Sequence, residues 1–109
     1  MAVDNKMVRI VEIEVDPQYL DEYNALLAEE IGASVRLEPG VLFLHGVSLQ
    51  GSPHMIRVFE CYASREAYEA HLTTPHFLKY KTDTTHMVKA LKLVETDEIA
   101  LASKPLAKG

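Results

Sequence analysis

The first periodic stretch of the chain is Val8 to Val15, where Val11, Ile13 and Val15 alternate with Glu12 and Glu14. Apolar residues at every second position mark a strand with one face in a core. Asp16-Pro17 follows, pairing an N-cap residue with a proline suited to a first helical position. Tyr19, Leu20, Tyr23, Leu26, Leu27 and Ile31 then recur at helical spacing and predict a helix from about Gln18 to Val35. Gly40, after Pro39, breaks the chain before VLFLHGVSL. That run and MIRVFECYA, joined through Gly51-Ser52-Pro53, predict a hairpin. Ser64 caps a short helix carrying Ala67, Tyr68, His71 and Leu72. A residue before proline is pushed out of the helical region, so Thr74 ends this segment and caps a second helix with Pro75 at its first position. Phe77, Tyr80, Thr84, Met87, Val88 and Leu91 mark the inner face of that helix. A last strand is expected between Leu93 and Ser103.

Strand, helix, strand, strand, helix pair, strand is the order of an α+β, ferredoxin-like split βαβ domain, whose antiparallel sheet carries helices on one face. The strands read as apolar on both faces, however. Val41, Phe43 and Val47 share one parity, and Leu42 and Leu44 share the other. The second face needs cover, and the sheet of another copy is its simplest source, so a homodimer is expected. No linker or repeat divides the 109 residues. They read as one domain over 1–109 with a core of about 8–103.

Composition narrows the function classes. Apolar residues make up 48% and charged residues 25%, and the longest apolar runs are too short to cross a bilayer. MAVDNKMVRI lacks the apolar region of a signal peptide, which makes the cytoplasm the expected compartment. The net charge of −5, with basic residues scattered among acids, argues against nucleic acid as a partner and leaves a small molecule. Cys61 is the single cysteine and lies in an apolar strand, where it reads as a small buried hydrophobe. The glycines at 32, 40, 46, 51 and 109 form neither a dinucleotide fingerprint nor a phosphate loop, so no organic cofactor is expected.

The candidate chemistry centres on His71 and His76. His71 falls in the last turn of one helix and His76 in the first turn of the next, where the helix dipoles act with opposite sign. Two imidazoles facing one hollow under opposite fields would provide an acid and a base for abstracting a proton beside a carbonyl or phenol. The plainer reading is helix-start chemistry at Thr74, Pro75 and His76, with His71 packed behind. Zinc favours histidines in i,i+4 registry, which the five-residue spacing across a proline lacks, so no metal is expected. Glu60 shares parity with Ile56, Val58 and Tyr62, where a carboxylate is costly unless paired. Its expected partner is His71 or Lys79, and orienting a catalytic imidazole would be the functional form of that contact. Tyr62 and Tyr80 are core aromatics whose hydroxyls can reach a substrate. His45, alone in an apolar strand, is expected to be buried and hydrogen-bonded. It joins Lys79 as a candidate substrate contact, while His54 and His86 read as surface residues.

EPGVLFLHGV from Glu38, VFECY from Val58 and SREAYEAHLTTPHFLKY from Ser64 resemble the antibiotic biosynthesis monooxygenase superfamily, also called YgiN-like or quinol-monooxygenase-like. The resemblance runs from Val8 to about Val94. It implies a dimeric α+β barrel with a pocket between sheet and helices, and cofactor-independent oxygenation of a phenolic, quinol-like or enolisable substrate. HLTTPHF and IGASV are also similar to the subgroup that isomerises a phosphorylated autoinducer-2 signal, which gives an alternative activity. A ligand-binding or regulatory dimer without chemistry is a third reading, and a heme-degrading relative a fourth. The tryptophan and asparagine of the polyketide-oxidising members have no evident counterpart in a chain with no Trp.

Overall fold

A computed structural model describes residues 5–106; the remaining ends of the expected 1–109 domain lie outside the described residues. β1 (Met7–Val15) leads through a 3-10 turn (Pro17–Tyr19) into α1 (Leu20–Leu37), and β2 (Val41–Leu49) and β3 (Ser52–Tyr62) form the hairpin. α2 (Arg65–His71), α3 (Pro75–Thr84), a second 3-10 turn (Thr85–Met87) and β4 (Val88–Glu95) complete the order. The sheet is antiparallel with strand order β2-β3-β1-β4, the split βαβ arrangement expected from the pattern.

The punctuation works as its chemistry requires. The Asp16 carboxylate accepts from the Gln18 backbone N–H at 3.2 Å, and Gly51 takes a φ of +83° at the hairpin turn, a region that costs glycine nothing. Thr74 Oγ1 accepts from the Phe77 backbone N–H at 3.3 Å and donates to the His71 carbonyl at 2.8 Å. One side chain thereby joins the end of α2 to the start of α3.

Two expectations are corrected. The second helix of the pair stops at Thr84, and Val88 and Leu91 belong to β4, so the last strand is Val88–Glu95 and not a segment within 93–103. The hydroxyls of Thr84 and Thr85 donate back to the carbonyls of Tyr80 and Lys81, and such bonds accompany the end of the helix in a β-branched stretch. The freed chain pairs with β1, Ile13 opposite Leu91 and Val11 opposite Leu93. The second correction concerns β2. Val41 pairs with Tyr62 but Phe43 pairs with Cys61, so a bulge at Leu42 sets Val41 and Phe43 on opposite faces.

The core lies between α1 and the sheet, where Tyr23 and Leu27 pack on Val11, Ile13, Val15, Ile56 and Val58, with Met87 closing one end. The opposite face carries Ile10, Phe43, Val47 and Phe59, with Phe59 39% and Val47 36% exposed. Among the described residues no helix is long and apolar enough to cross a membrane.

Candidate functional site

A cavity of about 510 Å³ opens between the helices and the helix-side face of the sheet. Its walls are mostly apolar, from Val11, Ile13, Leu27, Leu44, Val58, Phe77, Leu91 and Leu93. Into this surround project Arg9, Glu30, Glu60, Tyr62, His71 and Tyr80. Strand parity explains three of these, because Glu60 and Tyr62 follow Ile56 and Val58 on β3, and Arg9 precedes Val11 on β1.

His71 is 3% exposed, at the end of α2. Its Nδ1 lies 2.9 Å from Glu38 Oε2, and the same oxygen lies 2.6 Å from His76 Nε2. An ionised carboxylate only accepts, so both ring nitrogens donate to it. The other nitrogen of His71 faces Glu30 Oε1 at 3.4 Å, and Ser34 Oγ donates to that oxygen at 2.7 Å. Glu30, His71, Glu38 and His76 therefore form one continuous polar chain. His71 and Glu30 border the cavity, while Glu38 and His76 stand behind them.

A close approach of backbones makes this chain possible. Glu38 caps the end of α1, its N–H donating to the Ser34 carbonyl at 3.0 Å, and Pro39-Gly40 turns the chain into β2. A Cβ placed on Gly40 would stand 2.5 Å from the Ala67 Cβ, so only glycine lets α2 pack close enough for His71 to meet Glu38.

Burial dominates the electrostatics. It pushes the Glu60 carboxyl up to about 7, against the attraction of Arg9, its partner across β1 and β3. Glu30 is raised for the same reason, opposed by the Ser34 hydrogen bond. Burial also raises the tyrosine hydroxyls, Tyr80 to about 12 and Tyr62 further, so near neutral pH they act as neutral hydrogen-bonding groups. Tyr80 is bonded to the Tyr23 hydroxyl. The Arg9 guanidinium lies 4.4 Å from the Tyr68 ring centroid, and its Nη2 is 2.8 Å from Glu95 Oε2.

The structure thus brings His71, Glu60, Tyr62 and Tyr80 to one cavity and leaves three other candidates outside it. His76 touches His71 through Glu38, with ring centroids 6.3 Å apart, and does not share the hollow. His45 is exposed, contrary to expectation, because it lies on the outer face beside Phe59. Lys79 is exposed and paired with Asp83 and Glu29. The expected pairing of Glu60 with His71 or Lys79 is replaced by the field of Arg9. His54 is half-buried and His86 exposed.

Sequence reasoning passed over Glu30, Glu38 and Arg9. Glu30 falls three residues after Leu27 on the buried stripe of α1, and Arg9 shares the parity of Val11 and Ile13. A charged residue in register with a core stripe was the available signal. Glu38 had none beyond its place before Pro39-Gly40, since its partners lie 33 and 38 residues away.

Comparison with known proteins adds identity to this geometry. The family model described as antibiotic biosynthesis monooxygenase matches residues 7–83. A solved protein from Bacteroides thetaiotaomicron, provisionally named an antibiotic biosynthesis monooxygenase, is 45% identical, with 94% of this chain and 97% of that one covered and a TM-score of 0.89. A monooxygenase, also provisionally named, from Lactobacillus acidophilus is 29% identical at a TM-score of 0.82, covering 85% of this chain and 44% of its own. A Pseudomonas aeruginosa protein at 20% identity shares the fold, with a TM-score of 0.83 over 92% of this chain and all of its own. Comparison with curated proteins gives no match. With more than half its length matched by the family model and the whole α+β unit superposing on a close relative, this chain belongs to the antibiotic biosynthesis monooxygenase family.

Proposed function

We propose that this protein is a monooxygenase that needs no organic cofactor and acts on a small phenolic, quinol-like or enolisable molecule held in the apolar cavity. The observation that carries the reading is the placement of His71 and Glu60 in one largely apolar cavity. His71 accepts the substrate proton at Nε2, since Nδ1 donates to Glu38 and is held by it, and the Glu30 carboxyl 3.4 Å from Nε2 stabilises the imidazolium that forms. Glu60, poised near neutrality at about 7, donates a hydrogen bond to the substrate oxygen or returns a proton, as general acid–base catalysis requires. Tyr62 and Tyr80 make neutral contacts. His76 serves from behind, by fixing Glu38. The deprotonated substrate supplies the electrons that reduce dioxygen. One oxygen atom enters the product as a carbonyl and the other leaves as water.

A homodimer is the proposed working unit, supported by the apolar outer sheet face around Phe43, Val47 and Phe59. The test is oxygen uptake with a panel of anthrones and hydroquinones, alongside a phosphorylated enolisable sugar, in air and under argon. One dioxygen consumed per substrate turned over with no hydrogen peroxide released, and loss of turnover in His71→Ala, are expected. Turnover unchanged under argon would replace oxygenation by isomerisation through the same proton transfer. Binding without turnover of any of these compounds would make the protein a ligand-binding module.

A further inference from the structure

We propose that Glu38, His71 and His76 form a binding site for a divalent transition metal of the zinc and cobalt class. Glu38 Oε2, His71 Nδ1 and His76 Nε2 lie within 4.8 Å of one another. They come from three pieces of chain: the turn after α1, the end of α2 and the start of α3. The missing i,i+4 registry does not matter, because the helix break at Pro75 and the Glu38 turn assemble the set in space. Two imidazole nitrogens and one carboxylate oxygen are a donor set that zinc takes while keeping a position open, and borderline ions generally favour imidazole. Magnesium and calcium, which want oxygen ligands throughout, do not fit.

The two ring nitrogens lie 2.9 Å and 2.6 Å from the Glu38 oxygen as hydrogen-bond donors. Bonds of ~2.0–2.1 Å around a tetrahedral ion set donor atoms about 3.3 Å apart. Seating the ion therefore opens both contacts by less than 1 Å and draws the two nitrogens together, within the reach of side-chain rotation. A second observation points the same way. His71 Nε2 faces the Glu30 carboxylate at 3.4 Å, and Ser34 anchors that carboxylate at 2.7 Å. An outer carboxylate on the far nitrogen is the support that fixes the orientation of a metal-bound imidazole. An ion seated here displaces the ring protons and immobilises His71, so it also controls the proton transfer proposed above. Binding itself is read without turnover and stands apart from that reaction.

The test uses the untagged full chain, stripped with a chelator, titrated with Zn²⁺ by calorimetry and with Co²⁺ by visible absorption. One ion per chain is expected, with Co²⁺ d–d bands and no heat from Mg²⁺. Glu30→Gln weakens affinity about 10- to 100-fold at unchanged stoichiometry, and His76→Ala weakens it by about 100-fold or more, with circular dichroism confirming the fold. Should His76→Ala fail to fold, proton NMR of the wild type decides: Co²⁺ must shift the ring signals of His71 and His76 and spare those of His45, His54 and His86. No binding at millimolar Zn²⁺ and Co²⁺, titrations unchanged in a folded His76→Ala, or ring shifts confined to the other histidines would overturn the proposal.

Discussion

Replacing Glu60 by glutamine removes a titrating proton from the cavity while keeping the shape of the side chain. In the folded protein this carboxyl is held at about 7 against an ordinary 4.5, chiefly by burial. The sign follows from proton counting. Between those two values the folded state binds more protons at this group than the unfolded state, so stability is greatest below pH 4.5 and falls as pH rises to 7. At about 1.4 kcal/mol per pH unit, the shift costs about 3 kcal/mol in total, most of it between pH 5 and 8. Glutamine carries no such dependence. Urea unfolding of both proteins at pH 5, 6, 7 and 8 should show the difference in unfolding free energy moving in favour of Glu60→Gln as pH rises, then levelling above pH 7. Glu30, which is raised by the same cause and itself pushes Glu60 upward, titrates in both proteins, so the difference reports Glu60 together with its interaction with Glu30. A difference that stays constant across this range, or that moves toward the wild type, would refute the claim that the cavity holds Glu60 near neutrality.

Gly40→Ala forces a Cβ to 2.5 Å from that of Ala67, so α2 must retreat; a loss of about 1–3 kcal/mol by urea unfolding is expected, together with altered His71 ring signals in NMR. Tyr80→Phe leaves the fully buried Tyr23 hydroxyl without the hydrogen bond it now makes, and a cost of about 1–3 kcal/mol follows from an unsatisfied buried group. Phe59→Lys places a charge in the middle of the outer sheet face; light scattering should find the wild type as a dimer and the variant shifted to monomer, and a variant that remains dimeric at micromolar concentration would remove that face from the interface.

The fold was legible wherever one period dominated. The alternation in β1, the helical spacing of Tyr23, Leu27 and Ile31, and the Thr74-Pro75 break each state a local rule that packing then obeys. The region after Thr84 was not legible, because Met87, Val88 and Leu91 fit a helical stripe while Leu91 and Leu93 fit a strand. What decides between them is pairing with β1, some 80 residues earlier. The site divides the same way. His71 and Glu60 announce themselves by residue type and parity. Their environment does not, since the carboxylate between the two imidazoles arrives from the far end of α1 and the cation beside Glu60 from β1. Long-range approach of this kind leaves no period in the sequence.

β4 borders the cavity with Leu91 and Leu93, 47% and 46% exposed, and stands at the edge of the sheet with β1 as its neighbour. The histidines, by contrast, ride on helices pinned by Thr74 and Gly40. On the proposed reading, selectivity and reactivity are thereby carried by separable parts of the chain. Changes in side-chain volume at positions 91 and 93 can retune which molecules are admitted, as a threshold is widened or narrowed, while the reactive machinery inside keeps its alignment.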